Sequence, residues 1–156
     1  MKNSLVFVSI LLAFLFPCNI NAQNDMKNTN DSLSDDLTLE GVWELVSFYN
    51  YGNDSKIDTI MSSKSYRQIK MYSKTKVMWS RFVESDSTDW FGYGTYTNTN
   101  TSLSEALDYG SKSMNPVISE RESFNFDLIL EKDKFTQIEM DEDGNPLIAE
   151  NYIRIE

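Results

Sequence analysis

The chain has 156 residues, enough for one domain, with 14 basic and 24 acidic side chains, a single cysteine and no histidine. So acidic a chain repels nucleic-acid backbones, which argues against DNA or RNA partners. Without histidine there is no Ser-His-Asp or Cys-His nucleophile and no Cys/His zinc site. No motif points to another metal or cofactor, and none is expected.

Residues 1–22 read as a secretory signal peptide. Lys2 precedes an apolar run of about a dozen residues, 5–16, too short to span a bilayer as a helix, followed by Pro17 and the small-residue site Asn21-Ala22. Cleavage is expected after Ala22. The rival reading makes Cys18 a lipidated N-terminus, but Phe16 and Pro17 stand where a lipobox carries small residues. The protein is therefore expected to be exported, periplasmic or extracellular, with lipoprotein anchoring through Cys18 the less favoured route. Loss of Lys2 with the leader leaves 13 basic against 24 acidic side chains, a balance of −11, and no second apolar segment long enough to span a membrane. Residues 23–38 are rich in Asn, Asp and Ser, with isolated Met26, Leu33 and Leu37, and read as a disordered polar tether.

From Leu39 to Glu156 the pattern is of short aromatic and β-branched runs separated by turn residues. Strands are expected at 41–49, 55–61, 66–72, 75–83, 90–97, 102–109, 123–131, 134–140 and 147–155. Residues 110–122, around Pro116, are expected to be a long loop. The fold class is all-β: a single antiparallel, up-and-down barrel of eight to nine strands, in which closure removes the exposed edges. Phe124, Phe126, Leu128 and Leu130 alternate with Asn125, Asp127, Ile129 and Glu131, so one face of that strand is core. In 75–83, Val77, Trp79 and Val83 share a face with Arg81, a mixed surface that suits a barrel interior better than a dry sandwich.

The candidate ligand-binding residues come from period-2 alternation on three strands: Trp79, Arg81, Tyr96, Glu105, Leu107 and Tyr109, with Gly92 and Gly94 leaving room beside them. The competing reading is that Arg81 pairs with Glu105 and the aromatics fill the barrel. A second feature is charge segregation. Lys64, Arg67, Lys70, Lys74, Lys76 and Arg81 lie in a window free of acids, either a basic contact surface or a set of cross-strand ion pairs. A third, DEDGNP at 141–146, hints at calcium but lacks the glycine placement of a calcium loop and reads as a turn. Carboxylate catalysis is the enzyme chemistry left open, and no motif singles out a pair, so a non-enzyme is expected.

The sequence also resembles a known family. Gly41-x-Trp43 at the start of the first strand and Arg154 on the last look like the lipocalin signature. That resemblance implies a tryptophan closing the barrel floor with an arginine packed across it. Residues 39–156 resemble the exported bacterial lipocalin-like domains through GVWELVSF at 41–48, KTKVMWSRF at 74–82, FGYGTY at 91–96, EALDYGS at 105–111 and EKDKFTQ at 131–137. The absence of a disulfide departs from many lipocalins. The resemblance implies a small barrel with a small apolar or amphipathic ligand inside and no assigned activity. The alternative is a filled barrel that recognises a glycan or protein partner through its surface.

Overall fold

The computed structural model describes residues 37–52 and 57–156. The leader, the tether as far as residue 36, and the expected turn and strand residues 53–56 lie outside them. The described chain forms β1 (Gly41–Tyr51), β2 (Ile57–Met61), β3 (Tyr66–Tyr72), β4 (Lys76–Val83), β5 (Trp90–Asn98), β6 (Ser102–Gly110), α1 (Asn115–Glu120), β7 (Phe124–Leu130), β8 (Lys134–Met140) and β9 (Pro146–Arg154). All pairings are antiparallel. β3 to β9 pair in sequence order, and β9 returns to β1, closing an eight-stranded up-and-down barrel.

The ninth strand, β2, shares one edge of β1 with β3. Gly41–Glu44 pair with Tyr72–Ile69 of β3, while Ser47–Tyr51 pair with Met61–Ile57 of β2. β2 and β3 thus form one antiparallel run against β1, broken at Ser62–Ser65, where Ser63 bridges to Tyr66. Beyond Glu44 the first strand leaves β3 and pairs with β2, whose five residues are all exposed.

Alternation assigns the interior. Trp43, Leu45, Tyr72, Val77, Leu103, Leu128, Phe135 and Tyr152 are buried together with Leu39. On β4, Val77 is fully buried while Met78 and Phe82 face outward, so the mixed face carrying Arg81 is indeed the inner one.

Register shifts also occur between Leu45 and Ser47 on β1 and between Glu139 and Met140 on β8, and two further local features bear on the site. The expected loop 110–122 contains the helix α1, which has a proline in its first turn. Gly110 N donates to Asn115 Oδ1 at 2.9 Å, and Met114 N and Asn115 N donate to Ser111 O, which ties the helix under the end of β6. Six residues are too few to show a helical period in sequence. The second feature is a bulge between β5 and β6: Gly94 pairs with Leu107 but Tyr93 pairs with Tyr109, leaving Asp108 as the extra residue. A Cβ at Gly94 would collide with the Ala106 carbonyl, so glycine is what lets the bulged strand approach.

Candidate functional site

The two ends of the barrel interior are built differently. At one end Trp43 is fully buried and its indole donates to Leu39 O at 2.7 Å. Phe135 meets it edge-on at 4.9 Å, and Tyr152 stacks on Phe135 at 4.6 Å. Trp43 pairs directly with Arg154, whose guanidinium carbon lies 4.0 Å from the centre of the indole. Arg154 also donates to three carbonyls, those of Lys132 (2.9 Å), Thr38 (2.7 Å) and Glu40. Gly41 has φ +138°, and a Cβ there would strike the Arg154 guanidinium. Gly41, Trp43 and Arg154 therefore form one interlocked closure.

Above this floor a polar chain crosses the barrel. Lys70 Nζ donates to Glu105 Oε1 and to Gln137 Oε1, both at 2.8 Å, with Lys70 and Glu105 almost wholly buried. Tyr72 OH donates to the same Glu105 oxygen. Gln137 Nε2 donates to Glu150 Oε2 at 2.9 Å, as does Tyr152 OH at 2.7 Å. Gln68 Nε2 donates to Tyr152 OH, and Arg81 Nε donates to Gln68 Oε1 at 2.6 Å. Arg81 closes the chain through an ion pair with Glu150 at 3.5 Å. Burial, reinforced by the Glu105 charge, pushes the Tyr72 phenol well above its ordinary range; burial and Glu150 do the same to Tyr152. Both phenols stay protonated and serve as donors.

Beyond the polar chain a cavity of about 230 Å³ opens inside the barrel. Its apolar wall includes Trp79, Leu107, Met114, Phe124, Phe126 and Ile148, and its polar wall Gln68, Lys70, Arg81, Glu105, Gln137, Glu139 and Glu150. The Trp79 indole lies over Gly92: a Cβ there would sit 2.9 Å from Nε1 and 3.0 Å from Leu107 Cδ1. Among the described residues the Trp79 N–H has no protein acceptor.

Of the residues singled out in the sequence, Trp79, Arg81, Glu105 and Leu107 meet at this cavity. Tyr96 lies towards the floor, its ring 4.8 Å from Tyr72 and its hydroxyl donating to Ser73 O at 2.9 Å. Tyr109 is on the outer face beside Tyr93, turned there by the Asp108 bulge. The space at Gly92 and Gly94 is taken by the indole and by the β6 backbone rather than left open. Arg81 does not pair with Glu105: Lys70 holds Glu105, and Glu150 and Gln68 hold Arg81. Lys70 and Arg81 leave the basic window for the interior, while Arg67 pairs with Glu44 and Lys76 lies 3.7 Å from Asp108.

The polar cavity groups left out of the candidate ligand-binding set are Gln68, Lys70, Gln137, Glu139 and Glu150. Each lies on the inward alternation of its strand, which is a signal the sequence does carry. The segment 141–146 is a turn, organised by Asp141 Oδ1 accepting from the backbone N–H groups of Asp143 (3.0 Å) and Asn145 (2.7 Å), with Gly144 at φ +80°. No group of three or more metal-ligating side chains occurs among the described residues, and no described helix is long and apolar enough to cross a membrane.

The closed strand order and the Trp43–Arg154 closure decide the architecture. The chain folds as a lipocalin-like barrel. Two solved structures match it. An uncharacterized protein from Bacteroides eggerthii superposes with a TM-score of 0.50 at 15% identity, covering 75% of this chain and 99% of that one. A lipocalin-like protein from Bacteroides uniformis gives 0.48 at 14% identity, covering 75% and 98%. No family model and no curated protein matches.

Proposed function

We propose that the barrel binds, without catalysis, a small amphipathic molecule in the cavity above the Lys70–Glu105 chain. The observation that carries this reading is the cavity itself. Its aromatic and aliphatic wall faces a convergent set of polar groups, the arrangement small-molecule sites use. The volume, about 230 Å³, lies below the ~300–1,000 Å³ of sites for drug-sized ligands, which supports a compact molecule rather than a long acyl chain. If the leader reading of residues 1–22 is right, binding takes place outside the cytoplasm. Native mass spectrometry of protein purified from its host, followed by organic extraction, tests the reading. A discrete added mass released by extraction is expected. A bare chain that also binds nothing across a small-metabolite library contradicts it.

A second reading has its own observation. The outer face of β3 to β6 exposes Met71, Met78, Phe82, Phe91 and Tyr109, and contiguous exposed apolar surface marks partner sites. On that reading the barrel is a scaffold. It requires that Met78→Lys and Phe82→Lys together abolish function while leaving cavity binding intact.

A further inference from the structure

Two cations and three carboxylates border the cavity, and they are not equally satisfied. Lys70 has three ammonium protons and three acceptors: Glu105 Oε1 and Gln137 Oε1 at 2.8 Å and Tyr72 OH at 3.5 Å. Arg81 is held by Gln68 and faces Glu150. Glu105 and Glu139, by contrast, each use one oxygen, while Glu150 uses both, its Oε1 facing Arg81 at 3.5 Å. Glu105 accepts from Lys70 and Tyr72 on Oε1, Glu150 accepts from Gln137 and Tyr152 on Oε2, and Glu139 accepts from Arg121 NH1 on Oε1 at 3.2 Å. Among the described residues, Glu105 Oε2 and Glu139 Oε2 receive no hydrogen bond and no ion pair.

Glu105 is 2% exposed, yet the one enclosed side-chain polar atom without a partner among the described residues is Ser62 Oγ. Glu105 Oε2 therefore reaches open space, and the open space Glu105 borders is the cavity. An ionised carboxylate is acceptor-only, and an unmet acceptor in a partly desolvated site favours a charged donor. Trp79, Phe124 and Phe126 supply aromatic surface that attracts cations. The chain's net charge of −10 favours the approach of cations over anions.

We infer that the cavity takes a small organic amine: a compact apolar body bearing a cationic nitrogen that donates to the free oxygens of Glu105 and Glu139. The inference rests on the binding reading above and adds the sign of the ligand's charge. It reverses the anionic ligand that Arg81 alone suggests. The unpartnered Trp79 N–H is available to a hydroxyl or carbonyl on the same molecule.

The test is isothermal titration of the full chain with three probes sharing one ring: phenethylamine, phenylethanol and phenylacetate. The amine is expected to bind about tenfold or more tighter than the acid. Glu139→Gln, at the rim, is expected to weaken the amine by about tenfold more than it weakens phenylethanol. Glu105→Gln should do the same, but it also unpairs Lys70; the rim variant keeps the test valid if that protein fails to fold. Phenylacetate binding as well as or better than the amine overturns the amine assignment and leaves the cavity-binding reading standing. Binding of none of the three at millimolar concentration also overturns the amine assignment, and the extraction and library screen above then decide the cavity-binding reading.

Discussion

Arg154 and Lys70 are both cations inside one barrel, and they are treated in opposite ways. Arg154 lies against an indole and donates to backbone carbonyls, with no salt bridge to a carboxylate among the described residues. Lys70 is buried among a carboxylate, an amide and a phenol, in a chain that leads to Glu150 and Arg81. The floor is a hydrophobic closure with a charged lid. The opposite end is a polar construction whose desolvation penalty a hydrophobic replacement would avoid. The difference teaches that stability is concentrated at the floor, while the other end carries charge for which stability alone gives no reason.

The strongest way to break that contrast is at the floor. Trp43→Ala is expected to cost about 3–5 kcal/mol, the usual range for a buried aromatic truncation, read from denaturant unfolding. A change below about 1 kcal/mol would remove the closure from the account.

Lys70→Met is expected to cost a similar amount, about 3–5 kcal/mol, because it leaves the Glu105 carboxylate buried without its counter-charge. The double variant Lys70→Met/Glu105→Leu sharpens the comparison. It should recover most of that loss, since a buried ion pair can be replaced by packed apolar groups at little cost. Failure to recover would mean that the pair itself holds the barrel together.

Arg154→Lys keeps the charge but loses the planar stack and the fork to the carbonyls of Thr38 and Glu40. A loss of about 1–2 kcal/mol is expected in the same unfolding experiment. An unchanged midpoint would show that charge alone suffices at the floor.

The smallest expected effect lies outside both ends. Hydrogen bonds from the backbone and side chain of Asn145, and then from Asp143 and Gly144, hold the Asp141 carboxyl below its ordinary value. A carboxyl lowered in the folded state adds stability above its unfolded value, about pH 3.9. That increment is lost as pH falls through the folded value. Asp141→Ala should therefore lower the melting temperature slightly at neutral pH and not at all in strong acid. A difference that persists undiminished at low pH would contradict this account of the turn.

Much of the architecture was legible because strand periodicity is local. The run Phe124 to Leu130 announces its inner face in seven residues, and Trp43 and Arg154 stand at opposite ends of one domain, as closure needs. The site was legible only in part. Trp79, Arg81, Glu105 and Leu107 follow from alternation, but the partner of Glu105 is Lys70, 35 residues away, and that pairing depends on how strands converge across the barrel. Tyr109 was misplaced because one inserted residue, Asp108, reverses the alternation, and nothing in EALDYG distinguishes a bulged strand from a regular one. Helix α1 escaped because its six residues are fixed by Pro116 and by the Asn115–Gly110 contact rather than by periodicity.

The claim that binding and stability reside at opposite ends is tested most directly by filling the cavity. In Leu107→Phe the larger ring enters the cavity that Leu107 lines together with Trp79, and Trp43 is not among the lining residues. Denaturant unfolding and phenethylamine titration would be run on the same preparation. The expected result is an unfolding midpoint close to that of the natural chain and loss of amine binding. Natural affinity in a folded Leu107→Phe protein would contradict it, because the ligand would then be seated elsewhere.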